Sequence, residues 1–208
     1  PTVTRYQYVC KGSSFSMAAT CTAPSVAKWY TNSAATVPVT FPITANASKW
    51  YYVKCENGTC KSNAVAAAMM VSSNPPKPYI KPSSKTICSG TQTILRAYGC
   101  YGGTYSWSPA GTISGSKNYI NTIAPINTGV DPIIINYTAT CNVTKGGVTC
   151  STTSLPVPIT INPAPSGSAT FTVDDDLLCY GEIATLTVSG CTGTVVFKNS
   201  AGTTISTI

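Results

Sequence analysis

A chain of 208 residues has room for one or two ordinary domains, or nearly three small ones of about 80 residues. Only 9% of it is charged against 43% hydrophobic, which excludes disorder driven by charge, and the net charge of +7 is dispersed with no Lys/Arg run to track a phosphate backbone, which argues against nucleic acid. The sequence holds no histidine, which removes Ser-His-Asp triads, Cys-His dyads and imidazole metal sites together, so no enzyme and no catalytic or cofactor residue is expected.

The chain opens on Pro1-Thr2-Val3-Thr4-Arg5 without the n-region and h-region of a signal peptide, so a mature form or a fragment is expected. The longest apolar run, Ala64 to Val71, has eight residues where a membrane span needs about twenty, and no membrane insertion is expected. Ten cysteines point to an oxidising, extracellular setting at the cell surface.

The first informative element is Val9-Cys10-Lys11-Gly12, followed by alternation of Phe15, Met17 and Ala19 with Ser16, Ala18 and Thr20, then Cys21 and Trp29. Such alternation reads as a half-buried strand. Further on come the strand Lys49-Trp50-Tyr51-Tyr52-Val53, Cys55, the turn Asn57-Gly58 and Cys60. Ala64 to Val71 has local helix propensity, yet its counterpart in the next unit, Leu155-Pro156-Val157-Pro158-Ile159-Thr160-Ile161, cannot be a helix. Both are predicted to be the last, edge strand of their units.

The same plan recurs. Ile87-Cys88-Ser89-Gly90 opens a second unit with Thr93, Leu95 and Ala97 alternating, then Cys100, Trp107, Tyr137, Cys141 and Cys150. Leu178-Cys179-Tyr180-Gly181 opens a third, with Ala184, Leu186 and Val188, then Cys191 and Phe197. Tyr51 and Tyr137 each stand four residues before a cysteine. The joints, Ser72 to Pro78 and Asn162 to Gly167, are short, proline-rich spacers. The expected organisation is all-β: tandem immunoglobulin-like β-sandwich domains at 1–74 and 75–164, each of about seven strands, and the N-terminal part of a third, incomplete one at 165–208. The first two parts each carry +5 and the third −3.

The order of cysteine, Trp, then Tyr and Cys parallels the immunoglobulin plan of a B strand, a C-strand Trp and an F-strand Tyr and Cys. It departs in detail, since the usual tyrosine lies two residues before its cysteine. In that topology the ends of strands B and F share a pole, which prefers Cys21 with Cys55 and Cys100 with Cys141. The alternative is a bridge across the turn, Cys55 to Cys60 and Cys141 to Cys150; sequence alone does not choose. All ten cysteines are structural disulfide candidates, and Trp29, Trp107, Phe197, Tyr51 and Tyr137 are candidate core aromatics. Cys55-x4-Cys60 is the nearest approach to a zinc knuckle, but the x8 spacing of Cys141 and Cys150 breaks it. Tyr98, Tyr101, Tyr105 and Tyr119 are either a carbohydrate-stacking cluster or exposed strand tyrosines. Asp174-Asp175-Asp176 is either a calcium-binding cluster near a joint or a solvated acidic turn. Four Asn-x-Ser/Thr sequons start at Asn46, Asn57, Asn136 and Asn142.

The recurrent aliphatic-Cys-x-Gly, the strand ending in Gly99-Cys100 or Gly190-Cys191, and the aromatic strand that follows resemble the tandem Ig-like repeats of giant cell-surface adhesins of Bacteroidota, including the gliding-motility adhesins exported by type IX secretion. Leu178 to Ile208 carries the strongest likeness, whereas the first unit has Thr20 where glycine precedes the second cysteine. The resemblance implies a filamentous stalk outside the cell whose repeats are disulfide-stabilised spacers in surface adhesion and gliding. Its partners would be further copies of the repeat and a surface polysaccharide or protein. A second expectation, from another class, is an immunoglobulin-superfamily-like recognition module for a glycan or protein.

Overall fold

The computed structural model describes residues 1–165, 170–190 and 194–207. Among them regular structure is almost all strand, with one 3-10 turn at Ser116–Asn118. The first repeat supplies β1 (Tyr6–Cys10), β2 (Ser14–Phe15), β3 (Val26–Tyr30), β4 (Pro38–Val39), β5 (Ile43–Thr44), β6 (Lys49–Asn57), β7 (Cys60–Lys61) and β8 (Val65–Ser72). One sheet has the order β1-β8-β6-β3-β4, with β7 folded back on β6, and β2 pairs with β5 in a second. Lettered in immunoglobulin fashion this is A′-G-F-C-C′ facing B-E.

The alternation read in the sequence builds the space between these sheets. Met17 is buried and Phe15 and Ala19 half-buried, while the residues between them are exposed. They meet Val9 of β1, Trp29 of β3, Tyr51 and Val53 of β6, and Ala67 and Met69 of β8 in one hydrophobic cluster. Phe41 completes it edge-on to both Trp29 and Tyr51, with ring centroids 5.9 and 5.3 Å away. Each fully buried side chain of this size stabilises the fold by about 1.5 to 3 kcal/mol.

The second repeat supplies β9 (Tyr79–Pro82), β10 (Thr86–Cys88), β11 (Thr93–Tyr98), β12 (Thr104–Ser108), β13 (Thr112–Ser114), β14 (Ile120–Ile123), β15 (Ile133–Lys145), β16 (Val148–Thr153) and β17 (Val157–Asn162). Its sheets run β13-β14-β11-β9 and β10-β17-β15-β12, with β16 paired to β15. These orders are D-E-B-A and A′-G-F-C, the division of strands that defines an immunoglobulin sandwich. Thr93, Leu95 and Ala97 of β11, Tyr105 and Trp107 of β12, and Tyr137, Ala139 and Cys141 of β15 all point inward and are buried. The fold is all-β and immunoglobulin-like.

Two expectations need correction here. β8 and β17 are interior strands, because β1 adds in parallel to β8 and β10 in parallel to β17. Pro158 is tolerated on β17 because β10 pairs only with Thr160, Ile161 and Asn162. The described part of the third repeat forms two separate antiparallel pairs, β18 (Thr170–Val173) with β19 (Leu186–Ser189) and β20 (Val196–Lys198) with β21 (Thr204–Thr207). Phe197 on β20 is half-buried among the described residues, not enclosed as a core position would be.

By compactness the chain divides into two units. One comprises Pro1–Lys85, Gln92–Ile123 and Ile135–Ile159, the other Thr86–Thr91, Ala124–Ile134 and Thr160–Ile208.

Candidate functional site

The cysteines are where the strand plan becomes covalent. Cys21, at the end of the first B segment, is bonded to Cys55 on β6, and Cys100, just past β11, is bonded to Cys141 on β15. Both join the B and F ends of one sandwich. The third bridge joins Cys10 on β1 to Cys150 on β16, 140 residues apart. It links the first repeat to the second and encloses the other two bridges in its loop. Beside it the β15–β16 hairpin turns at Gly146-Gly147, and a Cβ at Gly146 would enter the ring of Tyr8 on β1. Glycine at 146 is what lets this turn lie against Tyr8, and its φ of +56° suits glycine as well.

Among the described residues Cys60, Cys88 and Cys179 are free and exposed, which corrects their assignment to structural bridges. Neither turn-crossing bridge forms. Cys60 faces Asn57 across the β6–β7 ladder while Cys55 is taken by Cys21. Cys150 faces Val143 and is only 2% exposed, its sulfur committed to Cys10. Cys88 and Cys179 have no bridging thiol among the described residues. Cys191 lies outside the described residues, as does part of the second joint, residues 166 and 167.

A polar cluster sits on the outward side of β3 and β6. Glu56, 5% exposed, accepts a hydrogen bond from the Tyr30 hydroxyl and pairs with Lys28 at 3.2 Å and Lys61 at 3.7 Å. The Tyr30 bond above all holds the Glu56 carboxyl below its ordinary value, with the two lysines adding to it against the opposing effect of burial. The same bond, with burial, raises the Tyr30 phenol. Lys54 covers the Tyr30 ring at 5.9 Å. The only signal of this cluster in the sequence was that Glu56 is the sole acid of residues 1–74.

The candidate aromatic residues separate by face. Trp29, Trp107, Tyr51 and Tyr137 are buried, and burial raises the phenols of Tyr51 and Tyr137. Of the four tyrosines read as one cluster, Tyr105 is buried, its hydroxyl accepting a bond from the Cys100 amide at 2.8 Å. Tyr101 is 83% exposed, and Tyr119 packs over Gly115. Tyr98 instead stacks on Tyr79, its cross-strand partner on β9, at 5.2 Å and 19° between planes. The neighbouring cross-strand pair on the same face is Arg96 with Lys81, and a groove of about 220 Å3 runs past Lys81, Pro82, Ser83, Ile94, Arg96 and Tyr98. Two aromatic planes beside two cations form a surface suited to an anionic sugar.

The acidic run holds no converging ligand set. Asp174 Oδ1 accepts the Thr185 amide at 2.6 Å and Asp175 Oδ1 the Leu177 amide at 3.0 Å, and the Thr185 bond lowers the Asp174 carboxyl. Among the described residues no group of three or more Cys, Asp or Glu is placed to hold a metal ion. No helix there is long and apolar enough to cross a membrane, and three disulfides suit an oxidising, extracellular setting.

No protein-family model matches the sequence, and no curated protein matches it significantly. Among solved structures the chain is similar to murine CEACAM1b, at 12% identity and a TM-score of 0.35 over 74% of this chain and 95% of that one. It is also similar to immunoglobulin domains 1–5 of Sidekick-1, at 15% identity and a TM-score of 0.32 over 79% and 39%. The N-terminal four Ig domains of Dscam1 isoform 8.4 follow at 14% identity and 0.25 over 79% and 44%. TM-scores this low carry no argument; the immunoglobulin-like fold rests on the strand order described above.

Proposed function

We propose that this chain is a non-enzymatic extracellular segment of a filamentous surface adhesin, in which sandwich domains at 1–74 and 75–164 and a third beginning at 165 act as disulfide-stabilised spacers. The observation that carries this reading is the Cys10–Cys150 bridge, which ties one repeat to the next around two internal bridges. A spacer must hold its length under load, and nested bridges limit how far the chain can pay out. The residues between Cys10 and Cys150 add nothing to the stretched length while the bridge stands. Reduction should release about 490 Å of chain across that separation of 140 residues, at about 3.5 Å per residue. The recurring cysteine plan supports membership of a longer array, and through it the gliding-motility and type IX export reading of the resemblance.

Two measurements test this. Stretching single molecules with and without a reductant should show the released length, and an oxidised chain that extends as far as the reduced one would remove the spacer role. The intact mass of the native protein should far exceed 21.6 kDa; a native mass at that value would end the filament reading.

A second reading, a recognition module for an anionic glycan, is favoured by the stacked Tyr79 and Tyr98 beside Lys81 and Arg96. The two are compatible, since a spacer can carry a sugar-binding face.

A further inference from the structure

The outward side of the A′-G-F-C sheet in the first repeat carries a strip of aromatic and basic residues along β6. Tyr51 and Val53 point into the core, so Trp50, Tyr52 and Lys54 line the other side at every second position. Trp50 faces Ala68 on β8, and Ala68 faces Tyr6 on β1. Ala68 is small and only 2% exposed, while Tyr6 and Trp50 on either side of it are 46% and 42% exposed. The two rings lean together edge to face over it, with centroids 6.0 Å apart. Arg5 lies over both, its guanidinium carbon 5.5 Å from the Tyr6 centroid and 5.9 Å from that of Trp50. The Arg5 carbonyl accepts the Ala68 amide at 2.7 Å, which fixes the backbone from which this side chain reaches out.

Charge on this face is left over. Both ion pairs among the described residues belong to Glu56, which takes Lys28 and Lys61. Arg5 therefore has no carboxylate partner among the described residues, and neither has Lys54, which sits directly opposite Lys28 in the β3–β6 register. Like charges in that position weaken a sheet, and the first repeat has no second acid to relieve them. From the Trp50 row to the Lys54 row is about 13 Å, at roughly 3.3 Å per residue. One face thus presents a cation at each end of a short aromatic track formed by Trp50 and Tyr52.

We propose that this strip binds a linear polyuronate, an unsulfated chain of hexuronic acids lying along β6. The Arg5 fork takes one carboxylate edge on, Lys54 with Lys28 beside it takes another, and the apolar faces of the sugar rings between them rest on Trp50 and Tyr52. A planar guanidinium stacked on rings keeps its N–H edge for an acceptor of matching shape, which a carboxylate provides. An acidic peptide fits less well. β8, β6 and β3 are interior strands whose main-chain groups are spent on their neighbours, which leaves nothing for an extended backbone to pair with. The site is separate from the Tyr79 and Tyr98 face and does not rest on the spacer reading, so each can fail alone.

The test titrates a short oligogalacturonate into the full 208-residue chain by isothermal titration calorimetry, with acrylamide quenching of tryptophan fluorescence alongside. The expected result is binding that weakens with salt and shields the exposed Trp50 from acrylamide. Arg5→Glu and Lys54→Gln should each weaken binding about tenfold, the size of a lost charge-assisted bond. They stand at opposite ends of the strip, so if one variant fails to fold the other still decides. Arg5→Lys keeps the charge without the fork and should bind less tightly than wild type. Absence of binding overturns the proposal, as does wild-type affinity in both Arg5→Glu and Lys54→Gln. A methyl-esterified oligomer bound as tightly as the free acid would show that carboxylates are not read, and polyglutamate bound as tightly would show a peptide site; either result also overturns it. Loss of binding in Arg96→Glu while Arg5→Glu binds as wild type does places the oligomer on the Tyr79 and Tyr98 face, which removes this site and leaves the second reading standing.

Discussion

The Tyr30 hydroxyl donates a hydrogen bond to the Glu56 carboxylate across the paired strands β3 and β6, and so holds the sole acid of the first 74 residues in a buried position. Lys28 and Lys61 compensate the charge. A buried carboxylate with fewer partners would be strongly unfavourable.

That arrangement fixes a pH dependence. The folded carboxyl titrates below its ordinary 4.5, so the unfolded chain takes up the proton first as pH falls. The stabilisation is fully present above 4.5 and is lost as pH drops through the folded value. Glu56→Gln should lower the melting temperature at neutral pH, and wild type and variant should converge in acid. Equal melting temperatures at pH 7 would show that the cluster contributes nothing.

Tyr8 and Gly146 predict a paired effect. Gly146→Ala and Gly147→Ala both place a side chain at positive φ, but only the first meets the Tyr8 ring, position 147 being open. Each should lose about 1 kcal/mol to backbone strain. Gly146→Ala should lose more and slow formation of the Cys10–Cys150 bridge, and Tyr8→Ala should relieve that excess. Identical urea midpoints for the two glycine variants would refute the contact.

Leu95 is fully buried on β11, and Leu95→Ala should cost about 2 to 5 kcal/mol. With the inter-repeat bridge removed by Cys10→Ser and Cys150→Ser and with Trp107→Phe, fluorescence reports only Trp29 and Trp50 of the first repeat. If 1–74 is a domain of its own, Leu95→Ala leaves that urea transition in place. A shift equal to the full loss would show one cooperative unit.

The Tyr79 and Tyr98 face predicts binding of a sulfated polysaccharide that weakens with salt. Tyr98→Ala should reduce affinity about tenfold, within the range of a lost ring contact, and Arg96→Glu should abolish it. Isothermal titration with heparin, showing the same affinity for Arg96→Glu as for wild type, would dismiss the face.

Much of the sandwich was legible because strand periodicity is local. Alternation at Phe15, Met17 and Ala19, or at Thr93, Leu95 and Ala97, states which side is buried without knowledge of any distant partner. Strand order then places Cys21 near Cys55 and Cys100 near Cys141. What lay hidden depends on which remote surfaces meet. The parallel addition of β1 to β8 turned an expected edge into an interior strand, and the Cys10–Cys150 bridge spans residues whose separation leaves no local trace. The spacing that excluded a zinc knuckle also concealed the equivalence of Cys60 and Cys150, because hairpin length changes sequence distance while register stays fixed.

The nested bridges bear finally on damage. A backbone cut between Cys10 and Cys150 opens a loop and leaves both fragments joined through sulfur. A chain nicked there by a protease stays one covalent molecule, and two cuts inside that span are needed before anything can depart.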